Sequence, residues 1–386
     1  MYLPNYKDGS IVNLMSSISL ALNGKPKYNP LSILDEKELK KSKNIVLIVI
    51  DGFSYEYLVK KHKNTIFYKN LKGKMTSVFP STTASAISTF VTGFPVQQNA
   101  ISGWFTYLKE LGTVSTILPF NPRYGGEPFS KFGIDPKLIF KTKPFSETIN
   151  AKSYYLTSKG LSGTDYTDSF IGKSEIVPYR NLNDFMRALA YVLKFRNSRK
   201  KFIYGYWPEL DTEAHLYGIN SSKTYSHLRK LNSAFEKLLK KIENTNTTLI
   251  ITGDHGLIDS TPKHTIFLEN HPNLKKCLTL PLCGESRVVY CYVKPSKEKD
   301  FIKYVKEKLS KYCYLYKSEE LIRNNYFGLF EPDKTLYDRI GDYVLIMKEN
   351  YVMKDALLGE ERTPLIGYHG GVSKEEMHVP LIVIKK

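Results

Sequence analysis

The sequence predicts an α/β fold in which parallel strands are buried on both faces. Three segments carry this prediction: NIVLIVI at residues 44–50, KFIYGY at 201–206 and TTLIIT at 247–252. Such nearly continuous apolar runs are typical of parallel strands that helices cover on both sides. The chain of 386 residues is long enough for one large domain with insertions, or for two domains.

The distribution of charge argues against a dedicated nucleic-acid-binding protein, and the cysteine spacing argues against a zinc finger. The formal net charge is +18, but the lysines are spread along the chain, often in pairs such as Lys40-Lys41 and Lys240-Lys241. This scatter is typical of solvated faces, so we do not expect nucleic acid to be a dedicated partner, although a basic protein attracts phosphate-bearing molecules. The four cysteines form no CxxC pair and no zinc-finger spacing.

The N-terminal residues predict an extension and no targeting segment. They lack a charged start followed by an apolar run, and the longest apolar run of the chain, about seven residues, is too short to cross a membrane. We therefore expect a cytoplasmic protein that does not associate with membranes. Residues 1–43 form the extension, and the helical apolar spacing at residues 11–22 predicts a helix that packs on the core.

The segment FPSTTASAISTFVTG at residues 79–93 predicts a loop that turns into a helix. Pro80 starts the turn, and the hydroxyls of Ser81, Thr82 and Thr83 are candidates for an N-cap. The first N–H groups of such a helix form an anion site, where a hydroxyl is well placed to attack a phosphorus. An ordinary capped helix that packs through its small residues is the alternative explanation.

Carboxylates and imidazoles follow the predicted strands. Asp51 ends the first strand, and ligands gather at the carboxyl ends of strands in open α/β sheets. Asp211 and His215 follow the strand at 201–206; four residues apart on a helix, they would share one face and could bind one ion. Taken alone, the aspartate after a strand is equally explained as a helix cap, and the second pattern as a surface pair.

Two further motifs place histidines among glycines. Asp254 and His255 lie side by side between glycines at the end of the strand at 247–252. Glycine lets the backbone turn sharply and approach a bound group, which favours a metal site over a plain turn. His369 lies in IGYHGG near the C-terminal strand.

Two stretches between these motifs predict insertions. Residues 105–200 are irregular and include PFNPRYGGEPF, which is typical of a lid that covers a site. Arg123 and Lys131 lie in this lid, but we expect exposed loop cations to be solvated and assign neither a role. Residues 262–365 carry strand and helix signals and predict a smaller α+β cap. The catalytic domain would then span residues 44–386.

Together these segments supply three aspartates, three histidines and one hydroxyl. The set is Asp51, Thr83, Asp211, His215, Asp254, His255 and His369. This is the ligand complement of two divalent ions, and mixed histidine and aspartate sites suit Zn²⁺, with Mn²⁺ possible. Two metals about 4 Å apart can activate a hydroxyl, neutralise phosphate oxygens and stabilise a leaving oxygen.

The motifs NIVLIVIDG, FPSTTASAISTFVTGFP, ELDTEAH, ITGDHG and GYHGG resemble, in this order, those of the alkaline phosphatase superfamily, and within it the type I phosphodiesterase/nucleotide pyrophosphatase family. They cover roughly a third of the chain. The resemblance implies a three-layer fold, with a mostly parallel sheet between helices and inserted cap regions. It also implies hydrolysis of a small-molecule phosphate ester through a phosphothreonine-type intermediate.

The resemblance also implies a role for each residue of the set. Thr83 is similar to the family's nucleophile, and the adjacent Thr82 is the rival candidate. The residues similar to the ligands of the activating metal are Asp51, Thr83, Asp254 and His255. Those similar to the ligands of the second metal are Asp211, His215 and His369. The family's phosphate-contacting asparagine corresponds to Ala86 here, so another group must supply that contact.

The motifs do not decide which class of phosphate ester is the substrate. A phosphodiesterase is the first hypothesis, a phosphomonoesterase or phosphomutase on the same core is the alternative, and a non-catalytic basic nucleic-acid-binding protein is a more distant one. An aromatic-lined, uncharged pocket would favour diesters, whereas extra cations near the third phosphate oxygen would favour monoesters. The other histidines are expected outside the metal sites, with His62, His227 and His271 at the surface.

Overall fold

A seven-stranded sheet lies at the centre of the computed structural model, which describes residues 1–195, 199–357, 360 and 365–386. The strands, in chain order, are β1 Asn44–Ile50, β2 Leu71–Thr76, β3 Phe105–Leu108, β4 Thr113–Thr116, β5 Asn121–Pro122, β6 Lys152–Ser158, β7 Glu175–Tyr179, β8 Lys201–Trp207, β9 Thr247–Thr252, β10 Ile258–Asp259, β11 Thr265–Phe267, β12 Cys283–Gly284, β13 Val288–Cys291, β14 Cys313–Lys317, β15 Tyr343–Met347, β16 Val352–Lys354, β17 Gly367–Tyr368 and β18 His378–Lys385.

Helices surround this sheet and connect its strands. The α-helices, in chain order, are α1 Ile11–Ala21, α2 Glu36–Lys41, α3 Tyr55–Lys61, α4 Ile66–Lys69, α5 Thr83–Thr92, α6 Val96–Asn99, α7 Asp165–Ile171, α8 Leu182–Lys194, α9 Glu209–Tyr217, α10 Ser222–Lys241, α11 Pro272–Cys277, α12 Glu298–Tyr304, α13 Ser318–Arg323, α14 Thr335–Arg339 and α15 Lys374–Met377. The described helices include none that is long and apolar enough to span a lipid bilayer.

The central sheet has the strand order β2-β18-β9-β1-β8-β6-β7. Strand β1 pairs in parallel with β8 and β9, and only β18 runs antiparallel to its neighbours. Alternate residues of β1 point to opposite faces, so Leu47 packs in a core shared with α1 and α5, whereas Ile48 packs in a core shared with α8 and α10. The predicted α/β fold, with a mostly parallel sheet between two helical layers, is confirmed.

A second sheet is antiparallel throughout, with the order β14-β15-β13-β12-β3-β4-β5. Its strands come from residues 105–122 and 283–347, which belong to the two separate inserts that the sequence predicts. The lid and the cap therefore contribute to one structure, called the cap sheet below.

The predicted extent of the lid, residues 105–200, is wrong at its C-terminal end. Strands β6 and β7 belong to the central sheet, where β6 pairs in parallel with β8. The sequence of β6, KSYYLTS, lacks a β-branched run, and Tyr154 and Tyr155 share its core positions with Leu156. Periodicity alone could not identify it as a buried strand.

The N-terminal residues are built into the core. Ile11, Leu14 and Ile18 of α1 are fully buried in the cluster that contains Ala86 and Phe90 of α5. The small residues of α5 allow this close approach, so the extension supports the helix that begins at Thr83.

His62 is buried, which corrects the expectation that it lies at the surface. Its ring stacks on Tyr225, with 4.6 Å between the ring centroids, and meets the ring of Tyr57 edge-on. Burial lowers the pKa of His62 to about 4, and the positive charges of Arg229 and Lys61 act in the same direction. The folded protein therefore keeps this imidazole neutral at pH values where an unfolded chain would protonate it.

We expect His62→Phe to flatten the dependence of stability on pH. Because the folded-state pKa lies below the unfolded one, the unfolded chain binds more protons between about pH 6.5 and 4, and acid destabilises the wild type. The unfolding free energy of the variant should therefore lose less on going from pH 7 to pH 4, by about 2–3 kcal/mol. Urea titrations at both pH values measure this, and parallel curves for the two proteins would refute it.

Candidate active site

The order of strands in the central sheet brings the predicted site residues to one edge. Strand β1 lies between β9 and β8, and all three run in the same direction. Asp51 follows β1 and Asp254 follows β9, while α9 begins just after β8 and carries Asp211. The carboxyl ends of adjacent parallel strands meet at one edge, which is where open α/β sheets place ligands.

Three side chains converge around one ring nitrogen of His255. Its Nε2 atom lies 3.0 Å from Thr83 Oγ1, 3.3 Å from Asp51 Oδ1 and 3.4 Å from Asp254 Oδ2. Thr83 is the first residue of α5, so the helix start is directed at this cluster. Three oxygens and one imidazole nitrogen at this spacing form a cluster suited to a divalent cation.

A second group lies beside the first. Asp211 and His215 share one face of α9, as predicted, with 3.1 Å between Asp211 Oδ2 and His215 Nε2. The ring of His369 stacks on His255 with 3.8 Å between centroids, and its centroid lies 5.0 Å from that of His215. One nitrogen each of His255 and His369 and one oxygen of Asp211 lie within 4.8 Å of one another. All seven predicted residues are thus brought together.

Backbone carbonyls fix the orientation of two of these imidazoles. His215 Nδ1 donates to the carbonyl of Gly367 at 2.8 Å, and His255 Nδ1 lies 3.2 Å from the carbonyl of Gly256. Because a carbonyl can only accept, Nδ1 of each ring carries a proton, and Nε2 is the atom that each ring would offer to a metal. This arrangement is typical of histidines that bind metals.

Several buried polar atoms of the cluster lack a hydrogen-bond partner among the described residues. Within the part of the chain that the structure describes, no hydrogen-bond partner reaches Asp51 Oδ1, Asp211 Oδ1, Asp254 Oδ2 or His369 Nδ1. Buried polar atoms are normally paired, because an unpaired one costs about 1–3 kcal/mol. Two divalent cations would give these atoms partners, so the residues present fit a metal centre.

The pKa shifts of the clustered carboxylates also favour a metal centre. Burial raises the pKa of Asp51 well above its usual value, and the nearby charges of Asp254 and Asp211 raise it further; burial also raises the pKa of Asp254. Burial opposes ionisation of Asp211 too, but its ion pair with His215 outweighs this and lowers its pKa, while the pKa of His215 rises to about 9. Carboxylates crowded in this way require a compensating positive charge to ionise together.

Two side chains in the site belong to none of the motifs identified in the sequence. The hydroxyl of Tyr206 donates to Asp51 Oδ2, and its position on β8, opposite Val49 of β1, is a signal that the strand pairing could have provided. Glu285 comes from the turn between β12 and β13 of the cap sheet and accepts hydrogen bonds from Thr82 Oγ1 and the Trp104 amide, both at 2.7 Å. Nothing in the sequence near Glu285 indicates this placement.

A cavity of about 1080 Å³ opens from the cluster and runs under the cap sheet. Its wall is mainly apolar and includes Ile87, Leu118, Leu161, Tyr166, Phe267 and Met353. Ala86, the position that corresponds to the family's asparagine, is buried in the helix and does not line the cavity.

Arg123 is buried rather than solvated, contrary to the expectation from the sequence. Its guanidinium lies 4.1 Å from the ring centroid of Phe105 and forms ion pairs with Asp355 at 2.6 Å and Glu360 at 2.8 Å. Two carboxylates thus neutralise this cation in the cavity wall.

Comparisons with known proteins agree with this geometry. The sequence profile of the family described as type I phosphodiesterase/nucleotide pyrophosphatase matches residues 45–371. A search of curated protein sequences finds no match.

Solved structures with the same fold include two of murine ectonucleotide pyrophosphatase/phosphodiesterase 5. One has a TM-score of 0.67 at 19% identity, and an inactive variant in complex with AMP has a TM-score of 0.65 at 20% identity; each alignment covers 87% of both chains. Phosphonoacetate hydrolase from Sinorhizobium meliloti 1021, in complex with phosphonoformate, has a TM-score of 0.65 at 16% identity, over 89% of this chain and 90% of that one.

The fold and the grouped carboxylates and imidazoles define a phosphoric ester hydrolase of the alkaline phosphatase superfamily, a metal-dependent class. Since the family profile spans most of the sequence, the chain belongs to the type I phosphodiesterase/nucleotide pyrophosphatase family. The resemblance that the motifs indicate is thereby confirmed.

We expect His369→Ala to lower the metal content of the purified protein by one ion per chain. The variant removes a nitrogen that lies between the two groups, while the other six residues stay in place. Elemental analysis after dialysis measures the content. His227→Ala is the control, because His227 accepts a hydrogen bond from Trp207 outside the cluster. Two ions retained in His369→Ala would contradict the ligand role.

Proposed function

We propose that this protein is a two-metal phosphodiesterase that uses Thr83 as its nucleophile. The carrying observation is the convergence of Thr83 Oγ1 with Asp51, Asp254 and His255 around one point, with Asp211, His215 and His369 beside it. The first group would hold one divalent ion, and the second group would hold another. Zn²⁺ suits these ligands best, and Mn²⁺ is the alternative.

The start of α5 would receive the phosphate. Thr82 occupies the N-cap position, but its hydroxyl donates to Glu285 instead of capping the helix. The first N–H groups of the helix, reinforced by its dipole, are therefore available to bind an anion. A phosphate bound there lies next to Thr83 Oγ1.

Hydrolysis would then proceed in two displacements. Thr83 Oγ1 attacks phosphorus, the P–O bond to the leaving alcohol breaks, and a phosphothreonine diester remains; water then attacks the same phosphorus and releases Thr83 and a phosphomonoester. Bound divalent ions supply Lewis-acid activation of the hydroxyl and water and neutralise charge on the phosphate oxygens. His215 and His255, oriented by backbone carbonyls, would present Nε2 to the bound ions throughout.

The cavity supports a diester rather than a monoester as substrate. Among the described residues that line it, the arginine and lysine side chains are those of Arg123 and Lys354. Asp355 and Glu360 neutralise Arg123, and Lys354 Nζ lies 4.8 Å from the ring centroid of Tyr368. The largely apolar wall suits an organic group on the leaving oxygen, and small phosphorus compounds bound to the structural relatives are consistent with a small-molecule substrate.

Hydrolysis of bis-p-nitrophenyl phosphate and of p-nitrophenyl phosphate tests the proposal. Each substrate is assayed after treatment with a chelator and again after Zn²⁺ or Mn²⁺ is restored. Metal-dependent turnover that favours the diester is the expected result. Preference for the monoester would favour a phosphatase or phosphomutase, and turnover that survives the chelator would refute the metal requirement. The predicted cytoplasmic location stays a prediction, which fractionation of the source cells would test.

A further inference from the structure

Glu285 lies next to the start of α5, where the proposed function places the phosphate. Its Oε1 atom accepts hydrogen bonds from the hydroxyl of Thr82, directly before the nucleophile, and from the amide of Trp104. Its stem packs on Gly370, directly after His369: a Cβ added at Gly370 would lie only 2.8 Å from Glu285 Cβ. The side chain also lines the cavity. Glu285 thus lies between the nucleophile loop and the loop that carries His369.

The surroundings of this carboxylate give it no compensating lysine or arginine. Within the described residues, no ion pair joins Glu285 to such a side chain, and Arg123 in the same cavity is neutralised by its own two carboxylates. Among the basic side chains, the imidazoles of His255 and His215 lower the pKa of Glu285, and both belong to the proposed metal centre. A phosphate bound at Thr83 would therefore have a carboxylate as a neighbour.

We propose that Glu285 is a specificity-determining residue that selects monoanionic phosphodiesters and rejects dianionic phosphomonoesters. This inference rests on the proposed function and extends it to the class of substrate.

The physical reason is the charge of the third non-esterified oxygen. A diester carries one negative charge on two such oxygens, whereas a monoester above neutral pH carries two charges on three. A fixed carboxylate beside the site repels the dianion more strongly than the monoanion, and the low dielectric under the cap sheet strengthens the difference. The same contact would expel the phosphomonoester product after each turnover.

Binding of small anions tests the inference without any turnover. Calorimetry on the metal-loaded protein compares inorganic phosphate, a dianion, with dimethyl phosphate, a monoanion. Burial raises the pKa of Glu285 to about 7, so the measurement is made near pH 8.5, where the carboxylate is ionised. Glu285→Gln keeps an oxygen that can accept from Thr82 and Trp104 while removing the charge.

We expect Glu285→Gln to bind inorganic phosphate about tenfold more tightly and dimethyl phosphate within about twofold of the wild type. Turnover by Glu285→Gln should change in the same way as binding. Its kcat/KM for p-nitrophenyl phosphate should rise about tenfold relative to that for methyl p-nitrophenyl phosphate, which has the same leaving group but one negative charge fewer. Asp338→Asn removes the same charge from an exposed pair with Lys109 and should leave both ratios unchanged.

Two further variants separate charge from support of the loop. Thr82→Val removes the hydrogen bond but keeps the carboxylate, so it should not improve phosphate binding. Glu285→Ala removes both the charge and the hydrogen bond, and it should still bind inorganic phosphate more tightly relative to dimethyl phosphate than the wild type does. This variant provides the test if Glu285→Gln melts at a lower temperature than the wild type. An unchanged phosphate-to-dimethyl-phosphate ratio in both Glu285 variants overturns the inference. Failure of the wild type to hydrolyse any ester refutes the proposed function instead, and the binding ratio still decides the role of Glu285.

Discussion

Thr83→Ala should abolish at least about 99.9% of the hydrolysis of bis-p-nitrophenyl phosphate, because the variant has no oxygen to attack phosphorus. The metals should stay bound, since six of the seven clustered residues remain, including both histidines that backbone carbonyls orient. Steady-state kinetics and elemental analysis on the same preparation measure the two quantities. A large loss of kcat with unchanged metal content is the result that distinguishes a nucleophile from a purely structural threonine.

Thr89→Ala is the matched control for this prediction. Thr89 belongs to the same helix and is fully buried, and its hydroxyl donates to the carbonyl of Ser85 one turn earlier. The substitution deletes the same atoms at a distance from the cluster, so its kcat should remain within a few-fold of the wild type. Activity of Thr83→Ala equal to that of Thr89→Ala would show that another group attacks, and Thr82 would then be the first to examine.

Asp51→Asn should have opposite effects on activity and on stability. It removes a carboxylate from the proposed metal centre, so kcat/KM should fall by about a thousandfold or more. In the metal-free protein, the same change should raise the unfolding free energy at pH 7 by about 1–3 kcal/mol. The reason is that burial and the charges of Asp254 and Asp211 raise the pKa of Asp51 in the folded state, so ionisation above about pH 4 destabilises the fold.

Urea denaturation of chelator-treated protein measures the stability effect. Asp259→Asn provides the comparison, because Asp259 accepts hydrogen bonds from the backbone amides of Ile219 at 2.7 Å and Asn220 at 3.4 Å. Losing the charge there should weaken both bonds and lower stability. If Asp51→Asn were also less stable than the wild type without metals, the carboxylate would have a structural role that outweighs its burial.

Strands β1, β8 and β9 of the central sheet and the seven clustered residues could be predicted from the sequence because local signals coincide there. Strands β1 and β9 are nearly continuous runs rich in β-branched residues, and within two residues of each strand end comes an aspartate that glycine closely follows. When parallel strands lie side by side, the residues that directly follow them meet at one edge of the sheet. Residues far apart in the sequence can therefore be predicted to lie close together in the fold. The shared helix face of Asp211 and His215 follows from spacing in the same way.

The cap sheet and Glu285 could not be predicted, for a different physical reason. Strand β12 is two residues long and pairs with β3, far away in the chain, through Gly284 and Phe105. Short strands with irregular flanks have no periodicity to detect, and their pairing depends on contacts that only the folded chain creates. The burial of Arg123 was missed because its partners, Asp355 and Glu360, come from a distant segment.

The composition of the cap sheet from residues 105–122 and 283–347 has a consequence for how such enzymes can be re-engineered. Each segment forms its own set of antiparallel strands, and the two sets join through the pairing of Gly284 with Phe105. A graft of one segment from a relative that does not recreate this junction would leave strand edges without partners, which favours misassembly. Exchange of substrate preference between relatives therefore requires both segments to move as a unit. It also follows that a nascent chain completes its proposed metal ligands and its cap only after most of its length has been synthesised, since His369 and β15 both come late in the sequence.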